Sequence, residues 1–401
     1  MPSSAALALM LTLATPGTMQ FDLSATAPER QHRYEMGGHG IEPGDSEKGF
    51  RFSVALPEGD YRVTLTLGDR RAAGDTTVKA EARRLMLRNI VTAKGQFVTR
   101  SFLVTIRTPA LPPPPANAPG GSAVRIDARD AREATWDEKL TLEFLGTPQV
   151  ASLRIEPASA PTIFLAGDST VTDQYAEPAA SWGQMLPALL DDRIIVANHA
   201  KSGETLKSFL TNLRFDKLLS TMKPGDWLFI QFGHNDQKRE WPQTYVAPDS
   251  TYPAYVRAYI AEARRRGAHP VLVTSPERRN FDAQGRIIDT LGDYASAVRK
   301  LAAEEQVRLI DLNADSRAIY EALGVDRAPA AFNDGGRDKT HHNNYGAWLL
   351  ASAVAQRIRD TIPALAPHVT APAFAPTKPP SITQVVIAPS LIESDQRPAG
   401  N

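Results

Sequence analysis

A serine that follows an apolar run is the first residue of this sequence that could do chemistry. Ser169 lies in FLAGDSTVTDQ, residues 164–174, directly after an apolar segment and a glycine. A turn from a parallel strand into a helix can present such a hydroxyl above the sheet, beside free backbone N–H groups. The same residues also suit an ordinary turn that caps the next helix, because Gly, Asp and Ser are common in turns. Ser169 is therefore a candidate nucleophile only if partners occur elsewhere in the chain.

A candidate base and its carboxylate partner occur in DKTH, where Asp338 and His341 are three positions apart. This spacing lets the carboxylate reach Nδ1 of the imidazole while Nε2 faces a serine across the top of the sheet. The adjacent His342 leaves a second interpretation open, a metal site made of two histidines and Asp338. Neither a third histidine nor an HExxH-like spacing accompanies the pair, so acyl transfer is favoured.

Two further polar loops offer donors for the oxyanion that forms when an ester is attacked. NHAKSG ends in Gly203, which could offer a backbone N–H, and GHND contains Asn235, which could offer a side-chain amide. Each loop alone also fits a polar connection that uses glycine for backbone freedom. Four such loops, each after a predicted strand or before the last predicted helix, indicate one shared site.

The elements that position these loops form two groups. Up to about residue 157, alternating segments such as YRVTLTL and KLTLEFL predict antiparallel strands with one buried face. We expect a two-sheet sandwich over 21–158, with the Pro-rich stretch 108–121 as a loop within it. Over 159–369, apolar strands alternate with amphipathic helices, which predicts a parallel sheet covered on both faces. Ligands bind beyond the carboxyl ends of the strands in such sheets.

The helices predicted in this second part lie at about 205–219, 255–266, 291–305 and 345–358. The stretch between the predicted strand VRLIDL and DKTH carries no predicted element. The Pro-rich tail, residues 370–401, is expected to be disordered or loosely draped over the surface.

Composition excludes several classes of protein. The 401 residues contain 45 Lys and Arg against 45 Asp and Glu, so no excess charge points to nucleic acid or to a membrane as a partner. The lack of cysteine excludes disulfides, thiolate metal sites and a cysteine nucleophile.

The N-terminus suggests export. Residues 1–20 include an apolar run of about nine residues, the size of a secretory signal and too short for a membrane span. The basic residues that usually precede such a run are missing, which leaves a disordered chain end as the alternative. We expect a secreted or periplasmic protein.

The four loops together resemble the SGNH, or GDSL-type, hydrolases, which carry serine, glycine, asparagine and histidine in four blocks. The blocks read here GDST, NHAKSG, GHND and DKTH. The longer stretches FLAGDSTVTDQ, SWGQML and DKTHHNNYGA look most like the rhamnogalacturonan acetylesterases, carbohydrate esterase family twelve. The resemblance covers about residues 161–362 and implies a three-layer α/β/α domain with a flavodoxin-like parallel sheet.

This resemblance also implies a role for each matching residue. Ser169 is the nucleophile and one oxyanion donor, Gly203 and Asn235 are the other donors, and Asp338 and His341 complete the triad. The implied substrate is an acetylated polysaccharide or oligosaccharide, most of all rhamnogalacturonan, and no metal or organic cofactor is needed.

The Asp-x-x-His spacing of the family selects His341, so that His342 becomes a rim or packing residue. Five other residues in or near the strand-end loops are weaker candidates for substrate contact, by stacking on sugars or by binding galacturonate carboxylates. They are Trp182, His234, Trp241, Arg278 and Arg279. Trp182 equally suits packing of the first helix, and the arginine pair equally suits a solvated loop.

The N-terminal sandwich resembles the galactose-binding-like jelly rolls attached to many carbohydrate esterases, and its role is open between glycan binding, closing the cleft and simple stabilisation. Two alternatives to the leading function are an acetylesterase for xylan or another glycan, and a broad short-chain esterase. An alternative of another class is a carbohydrate-binding protein with a vestigial site, against which the complete set of site residues argues.

Overall fold

The computed structural model describes residues 17–399, apart from 45 and 47. Residues 1–16, most of the expected export signal, lie outside this part of the chain. The last residues of the expected signal lie within the described part, because Met19 and Gln20 already belong to the first strand. No helix in the described part of the chain combines the length and the apolar character that crossing a bilayer requires.

Antiparallel strands make up the first part of the protein. They are β1 (Met19–Asp22), β2 (His39–Ile41), β3 (Gly49–Ala55), β4 (Gly59–Leu67), β5 (Gly74–Ala80), β6 (Arg84–Thr92), β7 (Val98–Ile106), β8 (Lys139–Thr147) and β9 (Val150–Pro157). They form two sheets, in the orders β1-β9-β4-β7 and β2-β3-β8-β5-β6. The expected loop at 108–121 contains neither helix nor strand and connects β7 to β8.

The two sheets face each other across one core, as the alternating pattern predicts. Along β4, Val63 and Leu65 are fully buried while Arg62, Thr64 and Thr66 are half-exposed, because successive side chains of a strand point to opposite faces. Their layer packs with Phe52 of β3 and Phe144 of β8 from the other sheet. We call this part, up to Pro157, the sandwich.

Parallel strands begin after four intervening residues. They are β10 (Thr162–Gly167), β11 (Ile195–Asn198), β12 (Trp227–Gln231), β13 (His269–Val273) and β14 (Arg308–Ile310). Their order is β11-β10-β12-β13-β14, and every pairing is parallel. Counted along the chain this order is 2-1-3-4-5, the flavodoxin-like arrangement that the resemblance implied.

Helices cover both faces of this sheet. They are α1 (Trp182–Met185), α2 (Leu206–Thr211), α3 (Arg214–Thr221), α4 (Thr251–Arg265), α5 (Gly292–Glu304), α6 (Leu312–Arg327) and α7 (Asn344–Thr361). Ile163 and Leu165 of β10 pack on the side of α1 and α7, whereas Phe164 and Ala166 pack on the side of α3, α4 and α5. A strand buried on both faces explains the continuous apolar run before Ser169.

The Pro-rich tail lies over the surface with most of its described residues, 370–399, exposed or half-exposed, but it is anchored at Ser390. Ser390 is 3% exposed, and its hydroxyl donates to Glu143 of β8 at 2.7 Å. Its backbone N–H donates to Glu177, in the loop after β10, at 3.0 Å. Buried carboxylates on the sandwich and on the parallel part therefore satisfy the polar groups of Ser390, an anchor that composition cannot predict.

Candidate active site

The turn after β10 places Ser169 at the edge of the sheet. A Cβ atom at position 167 would lie 2.6 Å from Cγ2 of Val171 and 2.9 Å from the carbonyl oxygen of Gln231, so only glycine fits where the strand ends. The Asp168 carbonyl then accepts from the Val171 N–H at 3.1 Å and closes the turn. Ser169 is held at this turn with 2% of its surface exposed.

His341 joins this serine to a carboxylate. Its Nε2 lies 2.8 Å from Oγ of Ser169, and its Nδ1 lies 2.9 Å from Oδ2 of Asp338. The other carboxylate oxygen of Asp338 accepts from the backbone N–H groups of Thr340 and His341, at 2.8 and 3.0 Å. One aspartate therefore shapes the turn and orients the imidazole, which explains the Asp-x-x-His spacing.

Hydrogen bonding keeps the carboxyl of Asp338 ionised. Burial by itself raises the pKa of this group, but the hydrogen bond and charge of His341, together with two backbone N–H donors, outweigh it and hold the pKa of Asp338 well below its usual range. An ionised carboxylate accepts hydrogen bonds only, so Nδ1 of His341 is the donor and Nε2 is left to accept from the serine hydroxyl.

Hydrogen-bond donors surround this group in the neighbouring loops. In the described part of the chain, the backbone N–H groups of Ser169 and Gly203 donate to no protein acceptor. Gly203 has a φ of 88°, in the left-handed region that favours glycine. Asn235 is 1% exposed, and its amide donates one hydrogen to the carbonyl of Glu204 at 3.1 Å, which leaves the other hydrogen free to donate.

A carboxylate from the sandwich supports the loop that carries Gly203. Asp130, which is 1% exposed, lies 2.7 Å from Nζ of Lys201 and 2.6 Å from Nη2 of Arg214. Arg214 in turn lies 3.4 Å from the carboxylate of Glu204. These buried ion pairs fix both ends of the loop against the sandwich.

Comparison with known proteins identifies the family. The model of the GDSL-like lipase/acylhydrolase family matches residues 165–349, which include Ser169 and His341. Rhamnogalacturonan acetylesterase RhgT of Bacillus subtilis (strain 168) is 40% identical over 211 residues, which make up 49% of this chain and 89% of RhgT. The chain belongs to the GDSL-like lipase/acylhydrolase family. It is therefore an ester hydrolase, with the parallel sheet and helices of the SGNH fold.

Two further relatives extend the comparison. The rhamnogalacturonan acetylesterase of Emericella nidulans is 27% identical to this hydrolase over 229 residues, 52% of this chain and 89% of the relative. The crystal structure of YxiM from Bacillus subtilis superimposes with a TM-score of 0.50 at 26% identity, covering 86% of this chain and 98% of YxiM. The second match extends into the sandwich.

His342 has a packing role in this hydrolase. It is 1% exposed, and its Nε2 shares a 2.7 Å hydrogen bond with the hydroxyl of Tyr320. Its ring also lies 4.6 Å from that of Phe332, and burial lowers the pKa of His342 to about 3. In the described part of the chain, no group of three or more His, Asp or Glu residues has an arrangement that could hold a metal ion.

One of the five expected substrate contacts is wrong, and a second is buried against the fold. Trp182 is completely buried, and its Nε1 donates to Gln231 at 2.8 Å, so its ring packs α1 against the sheet and cannot stack on a sugar. Arg279 is 9% exposed; its guanidinium donates to the carbonyl of Gly336 and lies 5.1 Å above the ring of Phe332. Its charge therefore serves the fold around the DKTH turn.

Arg279 and the other three expected contacts stay predictions. Arg278 is half-buried and donates to Thr290 at 3.2 Å. Trp241 is half-buried, with Nζ of Lys238 4.1 Å above its ring. His234 is buried, which lowers its pKa well below the usual value, so any contact with substrate is that of a neutral ring.

Sequence reasoning missed Gln174 and the support from the sandwich. The Gln174 side chain donates to the carbonyl oxygen of Ser169 at 2.7 Å and so holds the turn from inside. Gln174 ends the FLAGDSTVTDQ block, and its position five residues after Ser169 was the only sequence signal for this role. Asp130 lies in a separate part of the chain, in a stretch without any motif.

Proposed function

We propose that this hydrolase removes acetyl groups from a plant cell-wall polysaccharide, rhamnogalacturonan, by way of an acetyl group carried on Ser169. The observation that carries the proposal is the position of His341, 2.8 Å from the serine oxygen and 2.9 Å from Asp338. This geometry supports proton transfer from the serine hydroxyl to the imidazole. The substrate is supported by the names of two relatives, RhgT and the Emericella nidulans enzyme, both rhamnogalacturonan acetylesterases.

In the first half of the proposed reaction, Oγ of Ser169 attacks the acetyl carbonyl while Nε2 of His341 takes the hydroxyl proton. The charge that develops on the carbonyl oxygen is stabilised by the N–H groups of Ser169 and Gly203 and by the amide of Asn235. The intermediate then expels the sugar oxygen, which receives the proton from His341. The ion pair with Asp338 stabilises the imidazolium between these two steps.

In the second half, water attacks the acetyl-serine ester and gives a proton to His341. Ser169 Oγ leaves and takes that proton back, and acetate is released. Ser169, His341 and Asp338 are each only 1–2% exposed. This burial favours the charge movements of both halves, because electrostatic interactions are stronger where water is excluded.

The sandwich and the export signal belong to the same proposal. We assign residues 21–158 to a galactose-binding-like jelly roll, which its two facing antiparallel sheets support. The hydrolase domain then covers 159–369, followed by the tail. A secreted or periplasmic location fits an enzyme whose polymeric substrate lies outside the cell.

The proposal is tested by measuring acetate release from acetylated rhamnogalacturonan and acetylated xylan, with the wild-type protein and Ser169→Ala. We expect the wild type to act faster on rhamnogalacturonan and the variant to lose more than about 10⁴-fold in kcat. Faster release from xylan would retain the mechanism and change the substrate. Activity that survives in the variant would exclude Ser169 as the nucleophile.

A further inference from the structure

A cavity of about 570 Å³ lies beside the DKTH turn, and cationic residues line it. Arg129 comes from the sandwich, Arg337 and Lys339 flank Asp338, and Arg397 comes from the tail. Asp338 and Thr340 complete the side next to His341. Three stretches of chain that are distant in sequence therefore bring four cations together next to the candidate catalytic histidine.

These cations exceed the acidic groups around them. Arg397 lies 2.6 Å from Asp334, and Arg337 pairs with the other oxygen of the same carboxylate. Among the described residues, the side chains of Arg129 and Lys339 form no ion pair. Asp334 and Asp338 are thus two carboxylates beside four cations, so the lining of the cavity carries a net positive charge.

The cationic cavity lies next to the loops of the candidate active site, because Asp338 and Thr340 line it. Arg129 and Arg397 also line a narrow neighbouring cavity, together with Gln174 and Ser202. Gln174 holds the carbonyl of Ser169, and Ser202 precedes Gly203 in the loop of the candidate oxyanion donors. A ligand group bound among the cations therefore lies close to the loops that carry Ser169, Gly203 and His341.

We propose that this cavity binds the carboxylate of a galacturonate unit in the same chain that carries the acetyl group. The inference rests on the proposed function and deepens it by assigning substrate recognition to Arg129, Lys339 and Arg397. Guanidinium groups suit this ligand because they donate two parallel hydrogen bonds to one carboxylate. Unlike Arg279, which packs on Phe332, these residues line an open cavity.

The test uses an acetylated rhamnogalacturonan oligosaccharide with free carboxylates and the same oligosaccharide with its carboxylates methyl-esterified. Acetate release gives the ratio of kcat/KM for the two substrates, for the wild type, Arg129→Gln, Lys339→Gln and the double variant. We expect the wild-type ratio, charged over methyl-esterified substrate, to be above about 10. Each single variant should lower this ratio by about threefold to tenfold, and the change should come from a higher KM for the charged substrate.

Arg154→Gln in the sandwich and Lys300→Gln in α5 are matched controls, because both remove an exposed cation that does not line the cavity. We expect both to keep the wild-type ratio. A wild-type ratio near one, or a ratio that the cavity variants leave unchanged, would overturn the inference and leave the proposed function intact. If the wild type cleaves 4-nitrophenyl acetate but releases acetate from neither oligosaccharide, both the proposed function and the inference are wrong.

Discussion

The two amide hydrogens of Asn235 serve different parts of the site. One holds the carbonyl of Glu204, and the other is available to the oxyanion of the proposed reaction. An Asn235→Ala variant should therefore lose about 10²–10³-fold in kcat with little change in KM, because the donor acts mainly on the transition state. Steady-state hydrolysis of 4-nitrophenyl acetate measures both constants.

The Asn313→Ala variant is the control, because it removes a buried structural hydrogen bond without removing an oxyanion donor. Asn313 is also buried, and its amide donates to the carbonyl of Ser275 at 3.2 Å, at the end of a different strand. We expect this variant to lose stability without the fall in kcat. An equal fall in both variants would assign Asn235 to the fold rather than to the reaction.

The next residue along the same loop makes the stability of the protein depend on pH. Burial raises the pKa of Asp236 from 3.8 to about 7, although its carboxylate accepts from the Leu206 N–H at 2.9 Å. Between these two pKa values the folded protein binds a proton that the unfolded chain has lost, so this group's contribution to stability is present at low pH and is lost as the pH rises to about 7.

Asp236→Asn should remove that dependence, because the amide stays neutral at every pH. We expect the free energy of unfolding of the variant, relative to wild type, to rise by about 2 kcal/mol between about pH 5.5 and about pH 8. Urea unfolding at the two pH values measures it. Asp326→Asn, at an exposed position, is the control and should follow the wild type. Parallel pH profiles for wild type and Asp236→Asn would contradict the prediction.

For individual residues, the sequence predicted the position of the site better than the direction of its side chains. Ser169, Asp338 and His341 were predictable together because a strand end and an i, i+3 turn fix the backbone around them. Trp182 and Arg279 were placed near the right strand ends, but their exposure depends on packing against Gln231 and Phe332, which are distant in sequence. Local pattern gives the position of such residues and not their direction.

At the element scale, strand order was predictable and helix ends were less so. The expected helix at 205–219 is interrupted, because Leu213 adopts a φ of 60°, a left-handed conformation that a helix cannot contain. Helix α6 was missed, although Asp311 at its start accepts from the Ala314 N–H in the manner of a helix cap. Its buried apolar residues, Leu312, Ile319, Tyr320 and Leu323, stand at helical spacing, but the polar Asp315 and Ser316 occupy the buried positions between them and interrupt the pattern.

At the scale of the whole molecule, the sandwich and the part with the parallel sheet are joined by contacts that no local pattern encodes. Leu85 of β6 packs into the core of the parallel part, and Arg84 lies 2.8 Å from Asp173 in the loop after β10. Asp130 adds the buried ion pairs to Lys201 and Arg214. The active-site loops are therefore supported from outside their own part of the fold.

This support predicts that the sandwich contributes to turnover even for a substrate too small to touch it. Asp130→Asn weakens both ion pairs at the loop of Gly203, and small displacements of catalytic groups are costly in rate. We expect kcat for 4-nitrophenyl acetate to fall about 10- to 100-fold, with KM little changed. Asp192→Asn is the matched control, because Asp192 forms a 2.6 Å ion pair with Arg62 of the sandwich but precedes β11, whereas Gly203 follows the other end of that strand.

The comparison of the two variants separates positioning from general stability. Both lose an ion pair between the sandwich and the parallel part, so urea unfolding should show a loss of stability in each, larger for the buried Asp130. Only Asp130→Asn should lower kcat at a temperature where both proteins remain folded. If kcat falls equally in both, or in neither, the sandwich does not position the Gly203 loop and serves the hydrolase only through stability.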